Sequence, residues 1–416
     1  MASQLQPVRG THDLLPDSYA QHHRVIETAS DVARLYGFAR MDTPMFEFSE
    51  VFHRAVGETS DIVSKETYTF TDRGGESITL RPEFTAAIVR SFISNGLQQT
   101  LPFKCFYAGP AFRYERPQKG RLRQFHQIGA ELLGASDPSA DVEMIALAAH
   151  TLRQLGLLEH VKLHLNSLGD SASRSVYRDD LVQYFKQHEA KLSEESKVRL
   201  VKNPLRILDS KDPQDRELVA QAPKFRHQFN EVSQQFFDAV KRGLDSLGIH
   251  YTSDPRLVRG LDYYSHTVFE FVTDKLGAQG TVLAGGRYDG LVKHMGGQDV
   301  AGIGFAAGVE RLVALMDAPV EQYKPIATII PMDEAAEVEG WKIAQLLRAE
   351  GIATDIAYKG NAKKRFERAN KIGAAFAVVI GQDELARGEV TLKNLVTGVQ
   401  QTLAREALVA ALKTDD

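Results

Sequence analysis

The stretch FYAGPAFRYERPQKGRLRQFHQIGAE, from Phe106 to Glu131, restricts the fold more than any other part of the chain. Apolar and polar residues alternate on both sides of a loop containing Pro117 and Gly120, which predicts two strands joined by a charged turn. Successive strand side chains point to opposite faces. Arg113 and Glu115 are therefore expected on one face of the first strand, and Phe125, Gln127, Gly129 and Glu131 on one face of the second. If both faces turn toward a cleft, it holds a guanidinium, two carboxylates, an amide and an aromatic ring. That set suits a flat-ringed anionic ligand beside a cationic one. Arg116, Lys119, Arg121 and Arg123 in the loop add donors for phosphates. Taken alone, the segment also fits a solvated charged hairpin.

With 416 residues the chain is long enough for two or three domains. Its 43% hydrophobic and 25% charged residues are ordinary for a soluble globular protein. A formal charge of −4 gives no global sign of nucleic-acid binding, so such contact would need local basic patches. Cys105 is the single cysteine, which excludes an intramolecular disulfide and a cysteine-rich zinc site; its aromatic neighbours predict a buried thiol. The first residues lack an apolar core or an Arg-rich amphipathic pattern, and no apolar run is long enough for a membrane span. The expectation is a soluble, cytoplasmic protein with no membrane partner.

Asp17 to Gly37 has the period of an amphipathic helix with Val25, Ile26, Ala29, Val32, Ala33 and Tyr36 on its apolar face. A strand-like segment follows, then a hairpin turning at Gly74-Gly75, and a helix expected to start near Pro82. After the Arg113 hairpin come a helix over about 140–155 and a strand in KLHLNSLGD. Strand patterns vanish between 171 and 250, where charged amphipathic helices predict a helical insertion. Strands resume at TVFEFV and TVLAGGRYDGL, and residues 319–325 read as a linker. From 326 to 416, strand and helix alternate as in a small α/β domain with largely parallel strands. The residual core is then 1–170 with 251–318.

Several motifs carry chemistry. In TLRPEFTAA, Glu83 and Thr85 sit where a strand yields to a helix; the carboxylate suits an ammonium ligand, or equally the helix dipole. In RGLDYYSHTVFEF, Arg259 precedes Tyr263 and Tyr264 and would suit charge on a phosphate, although a surface arginine beside half-buried tyrosines fits as well. Arg311 follows close-packed glycines and could lie flat on an adenine ring. The spacing Gly302-x-Gly304-x-x-Ala307 resembles a dinucleotide fingerprint but lacks the acidic residue on a following strand. There is no P-loop, nucleophile elbow or HExxH helix. The 13 histidines show no metal-ligand spacing, so no residue is assigned to a metal, and His22-His23 is expected on an exposed helix face.

These residues together resemble the bacterial histidyl-tRNA synthetase family, within the class II aminoacyl-tRNA synthetases, from end to end. GFARMDTPMFEFSEVF with Pro44 is similar to the class's dimer-interface motif, FRYERPQKGRLRQF to its ATP-contacting motif, and GIGFAAGVERL to its third motif. RGLDYY and AGGRYDGL are similar to blocks specific for histidine. The resemblance implies an α+β fold: an antiparallel sheet flanked by helices, a helical insertion touching the tRNA acceptor arm, and a C-terminal α/β anticodon-binding domain. It implies histidyl-adenylate formation from L-histidine and ATP, transfer to histidine tRNA, accompanying Mg²⁺, and a homodimer. Glu83, Thr85 and Gln127 would hold the α-ammonium. Glu131 and Tyr264, with Tyr263 beside them, would recognise the imidazole. Arg113 and Arg259 would be catalytic at the α-phosphate, Arg259 also lying near the histidine carboxylate. Glu115, Phe125 and Arg311 would receive adenine, with Arg121 at the γ-phosphate. Arg116 and Gln118 would read the acceptor end. Lys363, Lys364 and Arg365 belong to a basic cluster suited to tRNA phosphates. Phe84 and Ala284 stand where many relatives have glycine.

Two other readings compete. One is a non-catalytic paralogue serving as a regulatory subunit of histidine biosynthesis; such proteins typically lose the anticodon module and the RGLDYY block, both present here. The other is a class II synthetase for another amino acid, against which RGLDYY and Glu131 argue.

Overall fold

The computed structural model describes residues 5–57, 62–117, 120–210, 212–223, 229–258, 263–277, 280–316 and 324–413. The chain divides into two compact units, Met1–Val320 and Glu321–Asp416. The first opens with α1 (Pro16–Leu35), where Pro16 supplies a φ already suited to a first helical turn. Next come β1 (Ala39–Arg40), β2 (Phe46–Phe48), α2 (Ser49–Val56), β3 (Tyr68–Thr71), β4 (Ser77–Leu80) and α3 (Thr85–Ser94). The long hairpin β5 (Phe103–Phe112) and β6 (Gln124–Leu133) leads to α4 (Pro138–Gln154) and β7 (Lys162–Ser167). Helices α5 (Ser171–Gln187), α6 (Glu194–Lys202), α7 (Arg216–Gln221) and α8 (Glu231–Ser246) precede β8 (Thr252–Ser253) and β9 (Ser265–Val272). The unit closes with β10 (Thr281–Arg287), α9 (Leu291–His294), β11 (Gly302–Gly308) and α10 (Val309–Val313).

Eight of these strands form one sheet in the order β1-β5-β6-β11-β10-β9-β7-β8. All pairings are antiparallel except β1 with β5 and β7 with β8. The period-two pattern decides which face each residue covers. Phe106, Ala108, Ile128 and Ala130 enter the main core with Val25 and Ala29 of α1 and Met144 and Ala148 of α4. Their neighbours Cys105, Tyr107 and Ala111 pack instead on Phe84 and Ile88 at α3. A smaller sheet, β2-β4-β3, includes the predicted hairpin across Gly74-Gly75.

Three local expectations change. The helix after β4 starts at Thr85 rather than near Pro82, because Pro82 keeps its carbonyl for Arg113 Nε at 2.9 Å and Glu83 folds back to cap the helix. Strand β5 ends at Phe112, so Arg113 and Glu115 lie in the coil beyond it and their orientation does not come from strand pleating. His22 is buried, only 6% exposed, because it stands three residues before Val25 on the apolar face of α1.

Within 171–250, α5 to α7 carry their own small core of Tyr177, Leu181, Phe185, Leu200, Ile207 and Leu218. Phe237, Val240 and Leu244 of α8 belong to the main core. Most of the expected linker lies outside the described residues.

The second unit contains β12 (Ala327–Pro331), α11 (Glu334–Ala349), β13 (Thr354–Ile356), α12 (Ala362–Lys371), β14 (Phe376–Ile380), α13 (Gln382–Arg387), β15 (Glu389–Asn394), β16 (Gln400–Ala404) and α14 (Leu408–Lys413). Strand order is β13-β12-β14-β15-β16. The first three strands are parallel, as alternation predicts, while β15 and β16 add an antiparallel hairpin. That hairpin was missed, although Asn394 and Gly398 mark its turn: the Asn394 side chain accepts from Val396 and Thr397 N–H, and Gly398 has φ +78°.

One buried ion pair ties the main sheet to α4. Arg287 at the end of β10 donates to Asp141, and both side chains are fully buried. Burial alone disfavours the Arg287 cation, but Asp141 and Asp289 outweigh it and hold the guanidinium's pKa above its ordinary value. Removing the cation strands a carboxylate in the core. Arg287→Met is therefore expected to cost about 3–5 kcal/mol, measured by urea denaturation followed by circular dichroism. A loss below about 1 kcal/mol would show that the pair does not hold these elements together.

Candidate active site

The antiparallel register of β5, β6 and β11 builds the floor of a cleft. Tyr107 faces Gly129, and Glu131 faces Cys105 on one side and Gly304 on the other. Two glycines are required by close approach. A Cβ on Gly129 would sit 2.3 Å from the Tyr107 hydroxyl oxygen, and one on Gly304 would sit 1.6 Å from Glu131 Oε2. The glycine spacing that resembled a dinucleotide fingerprint thus serves a buried antiparallel strand, not a phosphate-binding turn.

Glu131 lies at the bottom of this floor. Its Oε1 accepts from the Thr85 hydroxyl at 2.7 Å and the Tyr107 hydroxyl at 3.4 Å, and its Oε2 accepts from Tyr288 at 2.6 Å. Burial raises its pKa from 4.5 to about 8; the hydroxyls of Tyr288 and Thr85 oppose that rise, and the Glu83 carboxylate adds to it. Nearby Glu83 accepts backbone N–H bonds from Thr85 at 2.7 Å and Ala86 at 2.9 Å, so it caps α3 while lining the cleft. Burial moves its pKa upward as well, against the pull of those amides and Arg113.

The open part of the cleft has about 200 Å³ of free volume. Glu83, Thr85, Arg113, Glu115, Arg121, Phe125, Gln127, Tyr263, Tyr264 and Arg311 all line it, from five separated stretches of chain. The Gln127 side-chain oxygen is buried without a hydrogen-bond partner among the described residues. The Arg113 guanidinium carbon lies 5.3 Å from the Phe125 ring centre. Arg121 pairs with Glu115 at 2.8 Å, and Arg311 Nε donates to the Gly120 carbonyl at 3.2 Å. Arg116 is exposed beyond this set. Gln118, Lys119 and Arg259 lie outside the described residues.

Two arginines do not follow expectation. Arg123 turns from the loop to lie over Tyr114, its guanidinium carbon 4.0 Å from the ring centre. Arg365 is 9% exposed and donates to the carbonyls of Gly360 and Pro331, so it holds the second unit together, whereas Lys363 is 83% exposed and Lys364 is exposed too. Helical spacing explains the difference: Arg365 is four residues before Ala369, on the buried face of α12.

The sequence reading did not single out Tyr107, Tyr288 or Arg81. Period two from Cys105 already places Tyr107 on the cleft face; Tyr288 follows the strand and carries no such signal. Arg81 donates to the carbonyls of Pro110 and Thr43 and stacks on Phe84, which in turn stacks on Tyr107 with ring centres 4.4 Å apart. Phe84, through Arg81, therefore bridges the Thr43-Pro44 segment and the floor of the cleft.

The geometry is thus a buried carboxyl beneath a cleft lined by Arg113, Arg121 and Arg311, carried on a largely antiparallel sheet. Residues 10–312 match the family model described as histidyl-tRNA synthetase, and residues 327–415 match the anticodon binding domain. The chain is 57% identical over 399 residues to a histidine–tRNA ligase of Gluconobacter oxydans, covering 96% of each protein. It is 55% identical over 405 residues to that of Rhodospirillum rubrum, covering 97% of each. The crystal structure of apo Staphylococcus aureus histidyl-tRNA synthetase superimposes with a TM-score of 0.84 at 36% identity, over 99% of this chain and 100% of that one. This chain belongs to the histidyl-tRNA synthetase family.

The Glu131 shift has a consequence for stability. Its folded pKa lies above the unfolded value, so the folded protein retains a proton that the unfolded chain releases, and stability falls as pH rises from 4.5 to about 8. Glu131→Gln is expected to flatten that decline in melting temperature of the ligand-free protein. An unchanged slope across this range would contradict the burial argument.

Proposed function

We propose that this chain activates L-histidine with ATP in the β5–β6 cleft and transfers it to the 3′ end of histidine tRNA. The observation that carries the reading is the convergence of Arg113, Arg121 and Arg311 with Glu83 and Gln127 in one cleft, with Glu131 buried just beneath it on Thr85 and Tyr288. A cationic half suits a triphosphate, and an acceptor-rich half suits an amino acid with an imidazole side chain.

In this reading Glu83, Thr85 and Gln127 hold the α-ammonium; the buried unpartnered oxygen of Gln127 supports its share. Glu131, with Tyr263 and Tyr264 beside it, receives the imidazole, and the hydroxyls around Glu131 fix the carboxyl so that it can meet a ring N–H. The histidine carboxylate oxygen attacks the α-phosphorus, the bond to the β-phosphate breaks, and pyrophosphate leaves. Arg113, with Arg259, stabilises charge gathering at that phosphorus. The terminal tRNA hydroxyl then attacks the carbonyl carbon and AMP departs. No protein nucleophile is required, so the rate comes from positioning and charge.

Adenine lies between Phe125 and Arg311 with Glu115 at its edge, and Arg121 turns to the γ-phosphate. The free volume is smaller than ordinary ligand pockets of roughly 300–1,000 Å³. ATP therefore has to displace Arg121 from Glu115 and Arg311 from Gly120. Mg²⁺ enters with ATP: its preference is for oxygen ligands, chiefly the phosphates, while Glu83 and Glu115 already have partners in the cleft wall.

Residues 1–170 with 251–318 form the catalytic part, to which α8 of the 171–250 insertion adds its apolar face; the rest of the insertion meets the acceptor arm, 319–325 is the linker, and 326–416 the anticodon reader. Arg116 and Gln118 meet the acceptor end. The protein acts as a cytoplasmic homodimer; exposed Met45, Phe46 and Phe48 beside Pro44 favour a partner surface there. No described helix is long and apolar enough to cross a membrane.

A regulatory-subunit reading is the alternative. The chain shares its fold, at 22% identity and a TM-score of 0.66, with a Bacillus halodurans structure described as an ATP phosphoribosyltransferase regulatory subunit/histidyl-tRNA synthetase. Exchange of labelled pyrophosphate into ATP separates the two. It is expected with L-histidine and with no other amino acid; absence of exchange would favour the regulatory role. Arg113→Ala should lower exchange by about 10²–10³-fold with the fold intact.

The second unit gives a paired test. Replacing Lys363 and Lys364 with alanine should raise the KM for tRNA in aminoacylation and leave pyrophosphate exchange unchanged. Arg365→Ala should instead lower the melting temperature of its unit. If the lysine variants lose both reactions equally, these lysines are not tRNA contacts.

A further inference from the structure

We propose that His22, His126 and Glu310 form a binding site for a first-row transition-metal dication of the zinc class, beside the ATP cleft and separate from the Mg²⁺ that accompanies ATP. The three residues come from α1, β6 and α10, and one ligand atom from each lies within 4.8 Å of the others. His126 Nδ1 is 2.9 Å from Glu310 Oε1, and the His22 and His126 rings meet edge to face with centres 5.4 Å apart. Two imidazoles with one carboxylate favour zinc, cobalt or nickel over the oxygen-seeking Mg²⁺ and Ca²⁺.

Two further observations point to a ligand. His22 is buried on the apolar face of α1, and its Nδ1 has no hydrogen-bond partner among the described residues. Coordination through that nitrogen would satisfy a ring atom left unpaired in a buried setting. Glu310 is also held in place beforehand. Its two carboxylate oxygens accept the His126 backbone N–H at 2.9 and 3.0 Å, the kind of support that orients a metal-binding carboxylate. Donors around a tetrahedral zinc stand roughly 3.3 Å apart, so side-chain rotation has only to draw His22 inward. A bound ion would clamp α1 and β6 to α10, whose Glu310 and Arg311 both line the cleft.

The test uses the full chain, stripped with a chelator and free of ATP, titrated with Co²⁺ as a spectroscopic probe and then with Zn²⁺. One tight equivalent of Co²⁺ is expected, with visible d–d absorption of a low-coordinate imidazole site, a raised melting temperature, and displacement by Zn²⁺. His22→Phe keeps an aromatic ring on α1 and should keep histidine-dependent exchange. It should lose that equivalent, its affinity falling by at least about 100-fold, as loss of a ligand exceeds loss of a supporting group. His22→Gln serves the same purpose if the phenylalanine variant loses exchange. Absence of a tight equivalent in the unaltered protein, or equal binding by the His22 variants, would overturn the site and leave the trio sharing only a proton.

Discussion

The Glu131 carboxyl is the point on which the catalytic unit is assembled. It receives hydroxyls from Thr85 at the start of α3, Tyr107 on β5 and Tyr288 just after β10, so three stretches of chain meet at one buried group. Its neighbours must be very small, and glycine at 129 and 304 meets that need. A group so placed is expensive to ionise in the empty protein, and a ligand that donates a hydrogen bond to it changes that balance. The carboxyl to which we assign the histidine ring thus also joins these segments of the sheet and α3.

The cationic half of the cleft is closed by its own charges. Arg121 rests on Glu115, Arg311 on the Gly120 carbonyl, and Arg113 on the Pro82 carbonyl. Each contact satisfies a guanidinium without burying it unpaired, and each is one that a phosphate can replace with a stronger, charge-assisted partner. These contacts therefore hold the three cleft arginines in place. Arg81 extends the same network outward through Phe84 and Tyr107, which links the segment around Pro44 to the floor.

Much of this was legible beforehand because strand pleating is a local rule. Phe125, Gln127, Gly129 and Glu131 on one face followed from period two alone, and the cleft face of β6 is as expected. Arg113 and Glu115 reach the cleft by another route, since the strand stops before them. The α12 cluster shows the limit of charge counting: Lys363 and Arg365 look alike in sequence, and only the helical face separates an exposed lysine from an arginine spanning backbone carbonyls. His22 is the converse case, a polar residue read as exposed that helical spacing puts among apolar neighbours.

By itself the sequence determined most of the strands and helices (though not β11 or the β15–β16 hairpin), the second α/β module, and the residue types able to bind an anion next to an ammonium, because propensity, period and turn chemistry act over a few residues. Tertiary structure alone decided the eight-strand order, the meeting of Thr85, Tyr107 and Tyr288 on Glu131, and the grouping of His22 with His126 and Glu310. Those outcomes depend on packing between segments separated by 24 residues, as from Tyr107 to Glu131, or by 184, as from His126 to Glu310, and no local pattern carries that information.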